Sequence, residues 1–331
     1  MKEQKKLSEL KTGENVSNFL LVNKIELRTT KANKEYLSFE FSDSSRSVNA
    51  NMWDNIGNVI DLIQQGKVAF VTGTMSEYQG TPQIKLSNVR PVNESDNVTP
   101  RDFLPKSQRD LSLMQKEIND RIDKITNPFL KELITSIFNK ENFEKFSKAP
   151  AGKSWHHAYI SGLIEHTLEI IKICDLMCDF HSELNRDLLI SGAMLHDFGK
   201  TIELEYDSSF EYTNKGKLIG HIVIMAMLIE NETKKIKDFP EELKNHLIHL
   251  ILSHQGKLEY ASPVIPKTME AIALYQADEL SAKVNAYKNA IEQGVKEGSN
   301  WTRFISLANT DLTKTDIPGN SEENTKNSLF D

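Results

Sequence analysis

The chain has 331 residues, enough for about two domains with cores of their own, and its 39% hydrophobic and 26% charged content is ordinary for a soluble globular protein. A formal net charge of −7 excludes a basic nucleic-acid coat. Residues 1–98 hold 12 Lys+Arg against 12 Asp+Glu, so the remainder carries the whole deficit; an acidic remainder that handled nucleic acid would need metal ions or a local basic patch to tolerate phosphate.

The start, "MKEQKKLSELKTGENVSNF", lacks the apolar stretch of about 7–15 residues that a signal peptide needs. No run reaches the roughly 18 apolar residues of a membrane span. Cys174 and Cys178 lie four apart on one predicted helix. They allow no disulfide framework and read as buried thiols in a reducing compartment. The expectation is a soluble, cytoplasmic protein with no membrane partner.

The first part reads as strands. "NFLLVNKIELRTT" is apolar and β-branched, and "KEYLSFEFSD" alternates with Leu37, Phe39 and Phe41 on one face. "SVNANMWD" repeats the pattern with Val48, Ala50 and Met52. A predicted helix, "NIGNVIDLIQQG", separates these from "KVAFVTGTMSEY", a turn "QGTP" and a last strand "QIKLSNVRPV". Five strands with a helix between the third and fourth match a small Greek-key barrel of the OB type, whose open face commonly binds oligonucleotides. Other five-strand barrels fit the pattern nearly as well.

A polar joint over residues 93–110 ends the barrel, and everything from there to about residue 308 reads as helix. "LSLMQKEINDRIDKI" and "PFLKELITSIFNKENFEKF" are amphipathic. "HAYISGLIEHTLEIIKICDLMCDF", "RDLLISGAMLHDF", "LIGHIVIMAMLIENETKKI", "EELKNHLIHLILSHQG" and "TMEAIALYQADELSAKVNAY" follow at short intervals. The expected organisation is multi-domain: an all-β OB-fold barrel over 1–95, a linker and leading helix over 96–125, an all-α domain over 126–308, and a polar, disordered tail over 309–331.

Few polar residues interrupt the apolar helix faces: His166, the pair His196–Asp197, His221, His254 and Asp278. Taken singly, each histidine is most simply a core residue bonded to a carbonyl, and Asp278 a helix-terminal or salt-bridged carboxylate. Five helices each hiding such a group is a different matter, since every one left unpaired costs about 1–3 kcal/mol. One shared partner satisfies them all. Imidazoles with carboxylates are the ligand set of a divalent transition metal. Six ligands exceed what one catalytic ion needs, because open positions must remain for water and substrate. Two ions bridged by Asp197 fit better.

These residues resemble the H…HD…D pattern of HD-domain metal phosphohydrolases, with His221 and His254 resembling the subset that holds two metals. "HHAYISGLIEHT", "LHDFGK", "GKLIGH", "LSHQGKLEYASPVIPKTMEA" and "ADELSAK" are similar to the YhaM-type 3′–5′ exoribonucleases of Gram-positive bacteria, which place an OB-type domain ahead of an HD domain. The likeness runs over most of residues 1–310. It implies that His166, His196, Asp197 and Asp278 hold a first metal, and that Asp197 bridges to a second held by His221 and His254. It implies that Lys200 reaches the scissile phosphate as a fixed positive charge; a solvated surface lysine is the plainer alternative. Manganese is the ion implied, with cobalt, iron(II) or magnesium as alternatives. One departure stands out: Gln255 occupies a position where relatives often carry a second histidine. Its amide could donate to a phosphate oxygen but is a poor ligand for a soft metal.

The expected reaction is removal of nucleoside 5′-monophosphates from the 3′ end of single-stranded RNA, with single-stranded DNA as a further substrate, by a hydroxide that two metals activate. Of the histidines before the His166 helix, His156 and His157 could contact phosphate or ribose or cap the helix, and His157 is taken as a substrate contact. In the barrel, Tyr36, Trp53 and Tyr78 are candidate stacking groups, with Lys34 and Arg46 nearby; packing at the barrel edge explains them about as well. A homo-oligomer is compatible with all of this. The rival reading is an HD phosphohydrolase of nucleotides or cyclic dinucleotides, for which the barrel would have no use. A third is a binding protein with a vestigial HD site.

Overall fold

The structure, a computed structural model, describes residues 4–315 except 55, 79–80, 154, 296–297 and 307. Five strands close a barrel in the order β1-β2-β3-β5-β4: β1 (Asn15–Thr29), β2 (Glu35–Ser42), β3 (Ser47–Met52), β4 (Val68–Tyr78) and β5 (Thr81–Pro91). Every neighbouring pair is antiparallel except β3 with β5, which is the OB arrangement. Strand β1 is long enough to serve two partners. Its first half, from Asn15 to Leu21, pairs with β4 and its second half, from Leu21 to Thr29, with β2. The register slips between Val22 and Lys24, a bulge that bends the strand round the barrel.

The alternation read from the sequence is the barrel's inside and outside. Leu37, Phe39 and Phe41 are buried with Val48, Ala50, Met52, Val71 and Ile84, and the rings of Phe39 and Phe41 stack at 5.0 Å. Loss of a ring such as Phe39 would cost about 3–5 kcal/mol. The helix expected between β3 and β4 is shorter than its sequence suggests: α1 covers Ile56–Ile60, and the chain then turns. Val59 and Ile63 alone of that stretch's apolar residues are buried, while Leu62 is exposed. Gly66, at φ +78°, then donates its N–H to Val22 and sends the chain into β4.

Two 3-10 turns, Glu94–Asp96 and Pro100–Phe103, form the joint. Among the described residues ten helices follow: α2 (Leu111–Asp123), α3 (Pro128–Ile137), α4 (Lys140–Lys148), α5 (Gly162–Phe180), α6 (Arg186–Leu195), α7 (Lys200–Glu203), α8 (Asn214–Ile219), α9 (His221–Thr233), α10 (Glu241–Ser253) and α11 (Met269–Gly294). Asp110, Asn127, Asn139, Asn185 and Thr213 cap α2, α3, α4, α6 and α8 by accepting from backbone N–H groups of the first turn. One core joins Leu163, Leu168 and Ile171 of α5 to Ile190 and Met194 of α6, Met225 of α9, Leu250 of α10 and Leu274 of α11. Both cysteines are free, and among the described residues no helix is long and apolar enough to cross a membrane.

Three departures from the all-helical expectation matter below. Residues 157–161, which read as the start of the α5 helix, form a turn with His157 and Ser161 at positive φ. The run through "LIGHIVI" breaks at Gly220, so that His221 opens α9. A small hairpin, β6 (Leu204–Glu205) with β7 (Glu211–Tyr212), interrupts the helical part. Its aromatic residues flank a polar turn, Asp207-Ser208-Ser209, which is hairpin chemistry rather than helix chemistry. Phe210 of that hairpin packs with Leu21 and Val68 of the barrel and Phe103 and Leu104 of the joint.

The chain divides into two compact units, Met1–Asp278 and Glu279–Asp331. In the second, the expected tail from residue 309 is ordered in its described portion. Leu312 accepts from and donates to Thr302 and buries its side chain, and Lys314 donates to Asn300. An apolar anchor overrides the polar composition there. Residues 316–331 of the expected tail lie outside the described residues.

Candidate metal centre

The buried polar residues singled out from separate helices converge on one carboxylate. His166 lies one turn into α5; His196 and Asp197 directly follow α6; Lys200 and Glu203 bound α7; His221 opens α9; His254 follows α10; and Asp278 sits within α11. Asp197 is 1% exposed. Its Oδ2 lies 3.4 Å from His196 Nε2, 3.7 Å from His166 Nε2 and 2.5 Å from Lys200 Nζ. Its Oδ1 lies 3.3 Å from His221 Nε2 and 3.6 Å from His254 Nε2. Asp278 Oδ1 is 3.1 Å from His166 Nε2. Two groups of ligand atoms therefore share Asp197: His166 and His196 on one side, His221 and His254 on the other.

The outer nitrogens of three imidazoles are held by acceptors. His196 Nδ1 faces the Ala193 carbonyl at 2.8 Å, His254 Nδ1 the Ile251 carbonyl at 2.7 Å, and His221 Nδ1 the Glu203 carboxylate at 3.0 Å. An acceptor demands an N–H, so each of these rings in its neutral form carries its proton on Nδ1 and turns a bare Nε2 inward. His196 Nε2, His221 Nε2 and Asp197 Oδ1 are buried with no hydrogen-bond partner among the described residues. Lone pairs crowded around a carboxylate repel one another unless a cation lies between them. That donor set, imidazoles and carboxylates sharing one bridge, fits divalent metal ions.

The charges agree. Burial alone would suppress the Asp197 charge, yet Lys200, His196 and His221 hold its carboxyl well below the usual range. Burial likewise opposes the charge on Lys200, and Asp197 outweighs it to raise the ammonium. His196 and His221 are raised by Asp197 against their own burial, while burial lowers His166 and His254. Protons and metal ions compete for the same nitrogens.

Glu203 was not legible as a site residue, being one of two glutamates in "GKTIELEY" with nothing to set it apart. It is 7% exposed, and its Oε1 accepts from both the backbone N–H and the ring Nδ1–H of His221, at 3.0 Å each. Gln255, expected near substrate, directs its side-chain amide nitrogen at His254 Nε2, 3.3 Å away. His157, expected at substrate, has no exposed surface; its Nε2 lies 3.3 Å from Glu169 Oε2 and its ring beside that of His166. His156 also lies beside the centre, its ring 5.1 Å from that of His166, and burial, with His166 and Lys200 nearby, pushes its pKa down to about 2. On the barrel's outer surface Tyr36 and Trp53 stack at 4.5 Å with Lys34 Nζ 5.8 Å from the Trp53 ring, and Tyr78 is exposed at the end of β4.

The HD domain family model matches residues 163–283, which span every residue of the centre. The 3′-5′ exoribonuclease YhaM of Bacillus subtilis (strain 168) is 34% identical over 302 residues, covering 91% of this chain and 95% of that protein. The proteins of the same name from Geobacillus sp. (strain WCH70) and Bacillus pumilus (strain SAFR-032) are each 33% identical over 302 residues. They too align with 91% of this chain, across 92% and 95% of their own lengths.

Proposed function

Since the chain belongs to the YhaM family of 3′-5′ exoribonucleases, we propose that it hydrolyses single-stranded RNA from the 3′ end at the Asp197 centre, releasing nucleoside 5′-monophosphates, with single-stranded DNA as a further substrate. The observation that carries the mechanism is the bridging position of Asp197, with one oxygen turned to His166 and His196 and the other to His221 and His254. His166, His196, Asp197 and Asp278 would hold a first ion, and Asp197, His221 and His254 a second; manganese is the ion the family resemblance favours. Such ions, when bound, supply Lewis-acid activation of water and neutralise charge at phosphorus.

The protein's own groups do the rest. Glu203 fixes the tautomer and orientation of His221, and the carbonyls of Ala193 and Ile251 do the same for His196 and His254. Lys200, held within the centre by Asp197, keeps its positive charge beside the place where a scissile phosphate would gain negative charge. The Tyr36–Trp53 stack on the barrel offers flat faces to unpaired bases, which suits a polymer substrate rather than a free nucleotide.

The test is a 5′-labelled single-stranded RNA with added manganese, resolved on a denaturing gel beside an EDTA control and Asp197→Ala. The expected result is a ladder shortening from the 3′ end, absent from both controls. Intact RNA from a protein that has bound manganese would overturn the proposal in favour of a small-nucleotide phosphohydrolase.

A further inference from the structure

Beyond the residues of the HD pattern, the most unusual group near the centre is His156. Both of its ring nitrogens are buried, and neither has a hydrogen-bond partner among the described residues. A core histidine ordinarily satisfies at least one nitrogen on a carbonyl, as His196 and His254 do here. His156 shares its condition with His196 Nε2, His221 Nε2 and Asp197 Oδ1, the atoms that face the proposed ions. Its ring lies 5.1 Å from that of His166. Yet it belongs to none of the three groups whose ligand atoms come within 4.8 Å of one another. It stands next to the metal ligands without being placed as one.

The backbone holds it there at a cost. His157 adopts φ 44° and Ser161 φ 65°, both in the left-handed region that non-glycine residues seldom occupy. The turn is nailed down around them. The His157 carbonyl accepts from Ala151 and Tyr159, Ile160 donates to Pro105, Ser161 to Lys148, and Leu163 to Ala149. Gly162 lets the strained segment lie against the start of α5: a Cβ there would come within 2.0 Å of the His157 carbonyl oxygen. Strain kept by so many bonds is a reason to look for function in what the segment presents.

We propose that His156 is a substrate-binding residue, donating an N–H from its imidazole to an oxygen of the phosphoryl group at the Asp197 centre. Either neutral tautomer offers one such donor. A phosphate oxygen supplies the partner that the protein withholds, and a donor placed beside the ligands binds the phosphoryl group without occupying a position on an ion. The inference rests on the phosphodiesterase reading of the centre.

The experiment measures manganese content per chain and the affinity for adenosine 5′-monophosphate in manganese, using the full chain, His156→Ala and His156→Gln. Manganese content is expected to equal that of the wild type. Affinity should fall roughly 10- to 100-fold in His156→Ala, the loss of a hydrogen bond to a charged group. It should recover in part in His156→Gln, which keeps an N–H. Far-UV circular dichroism and melting check the folds; if the alanine variant unfolds, His156→Gln and His156→Asn decide by the same two readings. Loss of manganese from folded variants, affinities within about twofold of wild type, or no binding to the wild type would each overturn the proposal. The RNA ladder is run on the same wild-type protein. A ladder with unchanged nucleotide affinity in the variants sinks this inference alone. Intact RNA with His156-dependent binding of the nucleotide sinks the exonuclease reading alone.

Discussion

Substituting Gly199 by alanine tests whether the spacing of the centre is set by backbone contact. Gly199 has ordinary helical angles, φ −56° and ψ −20°, so nothing in its own conformation requires glycine. Its surroundings do. A Cβ built there would lie 2.3 Å from the His221 carbonyl oxygen, 3.0 Å from its carbonyl carbon and 3.1 Å from its Cα, whereas ordinary contact begins at 3.4 Å. These are backbone atoms that cannot swing aside, so the start of α9 must retreat by about 1 Å. Overpacking of that kind costs about 1–3 kcal/mol, and a displacement of about 1 Å at a reacting centre costs on the order of 100-fold in rate. Gly199→Ala should therefore melt several degrees lower. It should bind the ion of His221 and His254 more weakly than that of His166 and His196, and shorten RNA on the order of 100-fold more slowly at saturating manganese. Gly57→Ala, where an added Cβ meets nothing within 4 Å, is the control. Wild-type rates and metal affinities in Gly199→Ala would refute the reasoning, since the carbonyl would then have yielded without moving the imidazole.

Glu203→Gln removes the charge behind His221 while keeping its shape, and should weaken manganese binding by roughly 10- to 100-fold in titration calorimetry; affinity within about twofold would mean that the backbone alone orients the ring. Asp187 accepts from the Thr126 hydroxyl and from the backbone N–H groups of Thr126 and Asn127. Partial burial works against its ionisation, but those bonds, with Arg186 nearby, outweigh it and lower its pKa. The stabilisation is thus complete above the unfolded value of about 3.9 and lost as pH falls through the lower folded value. Asp187→Asn should cost about 1 kcal/mol at pH 7, a figure held down by partial exposure, and less at pH 3; equal losses in urea midpoint at both pH values would contradict this. Trp53→Ala, placed on an Asp197→Ala background to prevent cleavage, should weaken binding of a labelled single strand by about 1–3 kcal/mol in fluorescence anisotropy. Unchanged binding would move the strand-binding face away from the Tyr36–Trp53 stack.

The barrel was legible because its strands have one wet face and one dry one: Leu37, Phe39 and Phe41 announce the pleat by themselves. The residues of the centre were legible for the opposite reason, as polar groups on helices otherwise built to be buried. What escaped reading depends on contacts distant in sequence. Glu203 is a surface-type residue until His221, 18 positions later, is laid against it. Residues 157–161 continue the apolar rhythm of α5, and only the close approach allowed by Gly162 shows why they turn instead. The hairpin was hidden by its size: two strands of two residues have no periodicity to detect.

His166 and Asp278 touch across 112 positions of chain, and Asp278 closes the larger compact unit at its very end. A ribosome making this protein therefore releases His166 long before Asp278. Until residue 278 has emerged, His166 lacks its carboxylate partner and the centre is incomplete. On the proposed function, the ability to cut RNA is thus withheld from every unfinished copy, including any still tethered to the messenger that encodes it.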